Sequence, residues 1–256
     1  MSRVFQPYQI KYHAKKAMRG NFLKALGGVG LPTVIITALS LCVLFIPAVR
    51  ESLEVILSGS FASSEAQADY ISEVYSNLIY TTSLVLALFN FLIIGGESIC
   101  LDIVKGKETS VKNIFRFYDR WYIALVWPLV TFLLGFGADE LLEYMYNANV
   151  NEYLIEIFVF VYELAILFIT FKTVFIPQAL ADGECKNFFD AFKTSWKLTN
   201  FKTILSIFLL YISFIGWFLI IMFAFFPIIY VYPYLRMCMA TLYQTVKETA
   251  ELNTEQ

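Results

Sequence analysis

Charge is scarce in this chain. Asp, Glu, Lys and Arg make up only 16% of its 256 residues, where an average soluble domain carries about a quarter. Histidine occurs once, at His13, which excludes a histidine-rich metal centre. Cysteine is limited to Cys42, Cys100, Cys185 and Cys238, none of them in C-x-x-C spacing. Neither a zinc site nor a redox pair is suggested, and these read as small apolar residues with reduced thiols. The G-x-S-x-G, H-E-x-x-H, P-loop and G-x-G-x-x-G patterns are all missing. The expectation is a protein that is not an enzyme, with no cofactor and no metal.

Apolar residues, in contrast, reach 59%, and the mean hydropathy is +0.65. A compact soluble fold of this size could not hide so much apolar surface. A soluble enzyme, a nucleic-acid binder and a disordered chain are thereby set aside. The composition reads as a polytopic membrane protein in a single integral membrane domain spanning 1–256.

A helix needs roughly 20 apolar residues to cross a hydrocarbon core about 30 Å thick. Runs at about 25–49, 78–100, 121–142 and 154–177 meet that length. The first, preceded by basic residues, reads as a retained helix rather than a cleaved leader. The block 203–246 is too long for one span and suits two, split at about 224–228 near Pro227. This predicts an all-α, six-span bundle with Ser58–Asp69 in a flexible or weakly helical outer loop.

The charged residues alternate between the loops. Arg3, Lys11, Lys15, Lys16, Arg19 and Lys24 precede the first span. Lys105, Lys107, Lys112, Arg116 and Arg120 lie between the second and third, and Lys186, Lys193, Lys197 and Lys202 between the fourth and fifth. The other loops are acidic: Glu51, Glu54, Glu65, Asp69 and Glu73, then Glu143 and Glu152. The positive-inside rule then places the protein in the cell membrane with both termini cytoplasmic.

Three basic, aromatic segments lead into spans. They are Ala14–Phe22, Val111–Trp121 and Phe189–Phe201. Aligning Phe22, Trp121 and Phe201 also aligns Leu26, Leu125 and Leu205. The pattern suggests a repeated unit, an amphipathic lead-in helix plus a helical hairpin, over about 8–106, 107–183 and 184–250. Such helices lie in the membrane interface, with Lys15, Lys16, Arg19, Arg116, Arg120, Lys193 and Lys197 toward the headgroups. They read either as positive-inside anchors or as contacts for membrane lipids, including anionic ones.

The C-terminal third carries the most specific strings: Ser195-Trp-Lys-Leu-Thr-Asn200-Phe, then Tyr211-Ile-Ser-Phe-Ile-Gly216-Trp217, then Pro233-Tyr234 and Ala240-Thr-Leu-Tyr243. Together with Ala14-Lys-Lys-Ala-Met-Arg-Gly-Asn21, they resemble the DUF975 family of bacterial integral membrane proteins. Thr199 stands where that family usually has Gly, and Arg236 follows the Pro-Tyr pair closely. The resemblance implies a multi-pass bacterial membrane protein of no established activity and supplies no catalytic residue.

Ionisable residues within spans are costly and therefore candidates for function. Glu97 and Lys172 lie near inner ends, where water is close, and Glu156 lies near an outer end. Glu163 and Arg236 lie about 13 and about 12 Å deep at 1.5 Å rise per residue. Their similar depth and opposite charge predict a buried Glu163–Arg236 pair. Glu156 and Glu163, seven apart, share a helical face. Two functions follow. One is a structural or regulatory membrane protein, in envelope stress or immunity, working through lipids, a membrane-protein partner or a second copy. The other is a small transporter or channel with a polar track through Glu156, Glu163 and Arg236. Gly95-Gly96, Gly135 with Gly137, and Gly216 are candidate sites of close helix approach.

Overall fold

The computed structural model describes residues 5–42, 47–59, 63–223 and 227–252. Among these there are twelve α-helices, two short 3₁₀ turns and no strand. In chain order the helices are α1 (Pro7–Met18), α2 (Phe22–Cys42), α3 (Pro47–Ser58), α4 (Ser64–Leu88), α5 (Asn90–Val104) and α6 (Trp121–Asn147). They continue with α7 (Glu152–Thr173), α8 (Ile176–Ala181), α9 (Phe188–Leu198), α10 (Phe201–Ile212), α11 (Ile215–Phe223) and α12 (Ile228–Leu252). The 3₁₀ turns cover Val111–Phe115 and Tyr118–Arg120.

Among the described residues, four helical stretches are long and apolar enough to cross a membrane: Phe22–Cys42, Val111–Asn147, Glu152–Ala181 and Phe201–Met222. A fifth arises if α4 and α5, bent by 51° at Phe89, form one span. Ser63 caps α4 by accepting from the Ala66 amide at 3.1 Å, so the helix begins within the stretch expected to be a flexible or weakly helical outer loop. The predicted break near 224–228 falls between α11 and α12, although 224–226 lie outside the described residues.

The core is confined to one part of the molecule. α5 packs on α2, α8, α12 and the first 3₁₀ turn, while α1 packs on α12 and α9 on α8. The outer helices are barely buried: Ala124 and Ala138 are the buried residues of α6, and Ile155 and Thr173 those of α7. Their exposed Leu, Phe and Ile side chains suit lipid, which solvates apolar groups that water would not.

Glycine sets the closest contact. A Cβ on Gly95 would collide with the Ile114 carbonyl, and one on Gly96 with the Gly28 carbonyl. The backbone of α5 thus lies directly against α2 and the 3₁₀ turn. Gly135, Gly137 and Gly216, also expected at close approaches, have nothing within 4 Å of a built Cβ. Those positions face open space.

The lead-in segments contribute to the core. α1 buries Ile10, Ala14 and Met18, spaced four apart, toward the core. The 3₁₀ turn buries Ile114, and α9 buries Phe188, Ala191, Ser195 and Leu198. Their apolar faces therefore meet protein. All seven basic residues expected at headgroups remain exposed on the opposite sides.

Candidate functional site

The buried polar centre forms around Glu97, on the α5 turn that follows Gly95-Gly96. Glu97 is 1% exposed. Its Oε1 accepts from Nε of Arg236 on α12 and forms an ion pair with the same guanidinium. Its Oε2 accepts from Gln178 Nε2 on α8 at 2.9 Å. Three helices thus converge on one carboxylate. Gln178 Oε1 is buried without a partner. Glu97, Arg236, Gly28, Thr33 and Tyr232 border a void of about 10 Å³, room for about one water.

This overturns the expected Glu163–Arg236 pair. Glu163 and Glu156 are both exposed on α7, and the arginine is already engaged by Glu97. Depth along a span says nothing about the direction a side chain takes around the helix. Glu97, expected at a solvated rim, is instead the deeply buried partner. Its sequence signal was its position directly after two glycines, because a helix packed through Gly-Gly carries the next residue inward too. The expected polar track through Glu156, Glu163 and Arg236 is not assembled.

A second ionic cluster joins the ends of α5, α8 and α12. The Asp182 side chain is 1% exposed and pairs with Lys105 and with Lys247, the latter at 2.6 Å. Lys247 also reaches Glu184 at 2.5 Å, and the Tyr243 hydroxyl donates to Asp182 at 3.3 Å. Burial pushes the Asp182 carboxyl up, but hydrogen bonds from Lys105 and Lys247 outweigh it and hold the group below its usual 3.8. Lys247 is held above its usual 10.5: burial lowers it, and its bonds to Asp182 and Glu184 more than compensate. Gly106 and Gly183 follow these residues with φ of 68° and 81°, a left-handed turn that glycine adopts freely.

Ser195 performs the same tying role for α7 and α8. Its hydroxyl donates to the Lys172 carbonyl at 2.8 Å and accepts from the Phe175 amide at 3.2 Å. Lys172 does not simply extend to the interface: its ammonium donates to the Thr199 carbonyl at 2.8 Å and lies 5.1 Å from the Trp196 ring centre. His13 and the free cysteines form no metal-binding group among the described residues.

The long apolar helices, exposed aliphatic faces and sequestered charges define a helical, membrane-embedded protein. Comparison with protein-family models, curated proteins and solved structures finds no match.

Proposed function

We propose that the chain is a six-span protein of the cell membrane, arranged as three hairpins with both termini cytoplasmic. In this reading it works as a structural or regulatory element through lipid or partner contact, in a role of the envelope-stress or immunity type. The resemblance to the bacterial family named above supports the layout. α12 serves as the sixth span despite its lower hydropathy, because Glu97 neutralises Arg236 and reduces the cost of carrying that charge into lipid.

The observation that carries the functional reading is the closure of the Glu97–Arg236–Gln178 cluster. Transport through these charges would require a water-filled approach, whereas the adjoining void has room for about one water. The test is thiol labelling of single cysteines at Thr33 and Tyr232, in a background free of native cysteine. Protection from reagents on both sides of the membrane supports the packing role. Labelling from one side, blocked by a solute, would replace it with a transporter. A C-terminal tag reached only after the cytoplasmic side is opened supports six spans; a tag reached from outside overturns that count.

A further inference from the structure

A cleft among the described residues lies apart from the Glu97 cluster. Its volume is about 680 Å³, within the range of small-molecule sites. One wall is α1 with the turn after it, and the other is the C-terminal part of α12. Ile10, Ile103 and Val104 contribute an apolar floor.

The walls differ in chemistry. His13, Lys16 and Arg19 on the α1 side supply donors and positive charge, and Lys16 and Arg19 are exposed there with no ion pair among the described residues. The α12 side presents acceptors. Thr241 and Thr245 donate their hydroxyl protons to the carbonyls of Met237 and Thr241, each at 2.8 Å. Gln244 donates its Nε2 to Glu248 at 2.8 Å, leaving Oε1 without a partner. Glu248 adds a carboxylate. α5 ends at the rim, and its C-terminus carries partial negative charge that favours a cation.

We propose that this cleft seats the headgroup of an aminophospholipid. The phosphodiester lies against Lys16 and Arg19, the ammonium against Glu248 and the acceptors of α12, and the glyceryl end over the apolar floor. An anionic lipid lacking the amine satisfies only the first wall. A soluble phosphoamine has the polar groups but gains nothing from the floor or from membrane proximity. The proposal rests on the topology above, which puts this end of the bundle at the cytoplasmic interface.

The test is native mass spectrometry of the detergent-solubilised full chain, titrated with phosphatidylethanolamine, phosphatidylglycerol or free phosphoethanolamine. The expected order is phosphatidylethanolamine first, phosphatidylglycerol weaker, free phosphoethanolamine weakest. Lys16→Ala with Arg19→Ala should weaken both lipids about tenfold, since charge-assisted hydrogen bonds are lost. Glu248→Lys should reverse the preference between the two lipids. Lys193→Ala, on the exposed side of α9, should leave binding unchanged. All these side chains are exposed, so thermal unfolding should not shift. The proposal is overturned by wild-type binding in the double variant, by phosphatidylglycerol matching phosphatidylethanolamine in the wild type, or by free phosphoethanolamine binding as tightly as the lipid. The tag and labelling experiments above read independently of all three.

Discussion

Arg236 binds Glu97, 139 positions away in sequence, and leaves Glu163 unengaged. Two Gly residues create this relationship. With no Cβ at Gly95 or Gly96, α5 sits against the backbone of α2 and the 3₁₀ turn, and the next side chain is carried into the middle of the core. There an isolated carboxylate would be costly, and Arg236 and Gln178 supply the compensation.

Removing one partner of this pair should be far worse than removing both charges. Arg236→Ala leaves a buried carboxylate uncompensated and should cost about 3–5 kcal/mol. The exchange Glu97→Arg with Arg236→Glu should recover part of that loss. Glu163→Gln should be neutral. Thermal unfolding in detergent orders the three variants, and a Glu163→Gln loss equal to that of Arg236→Ala would contradict the observed pairing.

Glycine substitutions should separate by position. Gly95→Ala and Gly96→Ala must displace backbone, which is stiffer than side chain, and should cost at least the 1–3 kcal/mol typical of overpacking. Gly135→Ala and Gly216→Ala meet open space within helical surroundings and should be neutral or slightly stabilising. Melting temperatures of the four variants check the division.

Stability should depend on pH through Asp182 and Lys247. The folded Asp182 carboxyl titrates below its usual 3.8, so its contribution is complete above that value and disappears as pH falls through the lower folded value. Folded Lys247 titrates above its usual 10.5, so its contribution is complete below that value and is lost as pH rises through the higher one. Asp182→Asn should flatten the acid limb of a plot of melting temperature against pH, and Lys247→Met the alkaline limb. An unchanged acid limb in Asp182→Asn would locate acid sensitivity elsewhere.

Ser195→Ala should destabilise by about 1–3 kcal/mol, because the buried Phe175 amide loses its acceptor at the break between α7 and α8. Ser195→Thr keeps the hydroxyl but must fit a methyl into a fully buried site, so it should recover only part. Hydrogen exchange at the Phe175 amide gives a local measure: it should quicken in the alanine variant while amides of α4 stay unchanged.

Much of the fold is readable from local pattern. Apolar runs at about 25–49, 121–142, 154–177 and from 203 on coincide with the four helical stretches long and apolar enough to cross a membrane, and the split expected at about 224–228 falls between α11 and α12. The basic segments before Phe22, Trp121 and Phe201 mark places where helical or 3₁₀ elements precede a long apolar helix. The sharp bend at Phe89 has no such signal. Phe89-Asn90 contains no Gly or Pro, and the bend goes with long-range contacts of α5, including Asn90 Nδ2 donating to the Ala124 carbonyl at 2.6 Å.

Local composition is enough to mark a helical protein suited to a membrane, because run length and charge scarcity act through solvation, which each segment feels alone. It also narrowed the costly charges to a few. Which of them meet follows from the packing of the helices. Pairing depends on the rotation of each helix about its axis and on how closely backbones approach, and both are set by neighbours distant in the chain. Glu97 and Glu163 are the same residue type in similarly apolar helices. One is buried against Arg236 and the other exposed, because α5 packs through Gly95 and Gly96 while α7 stays at the periphery.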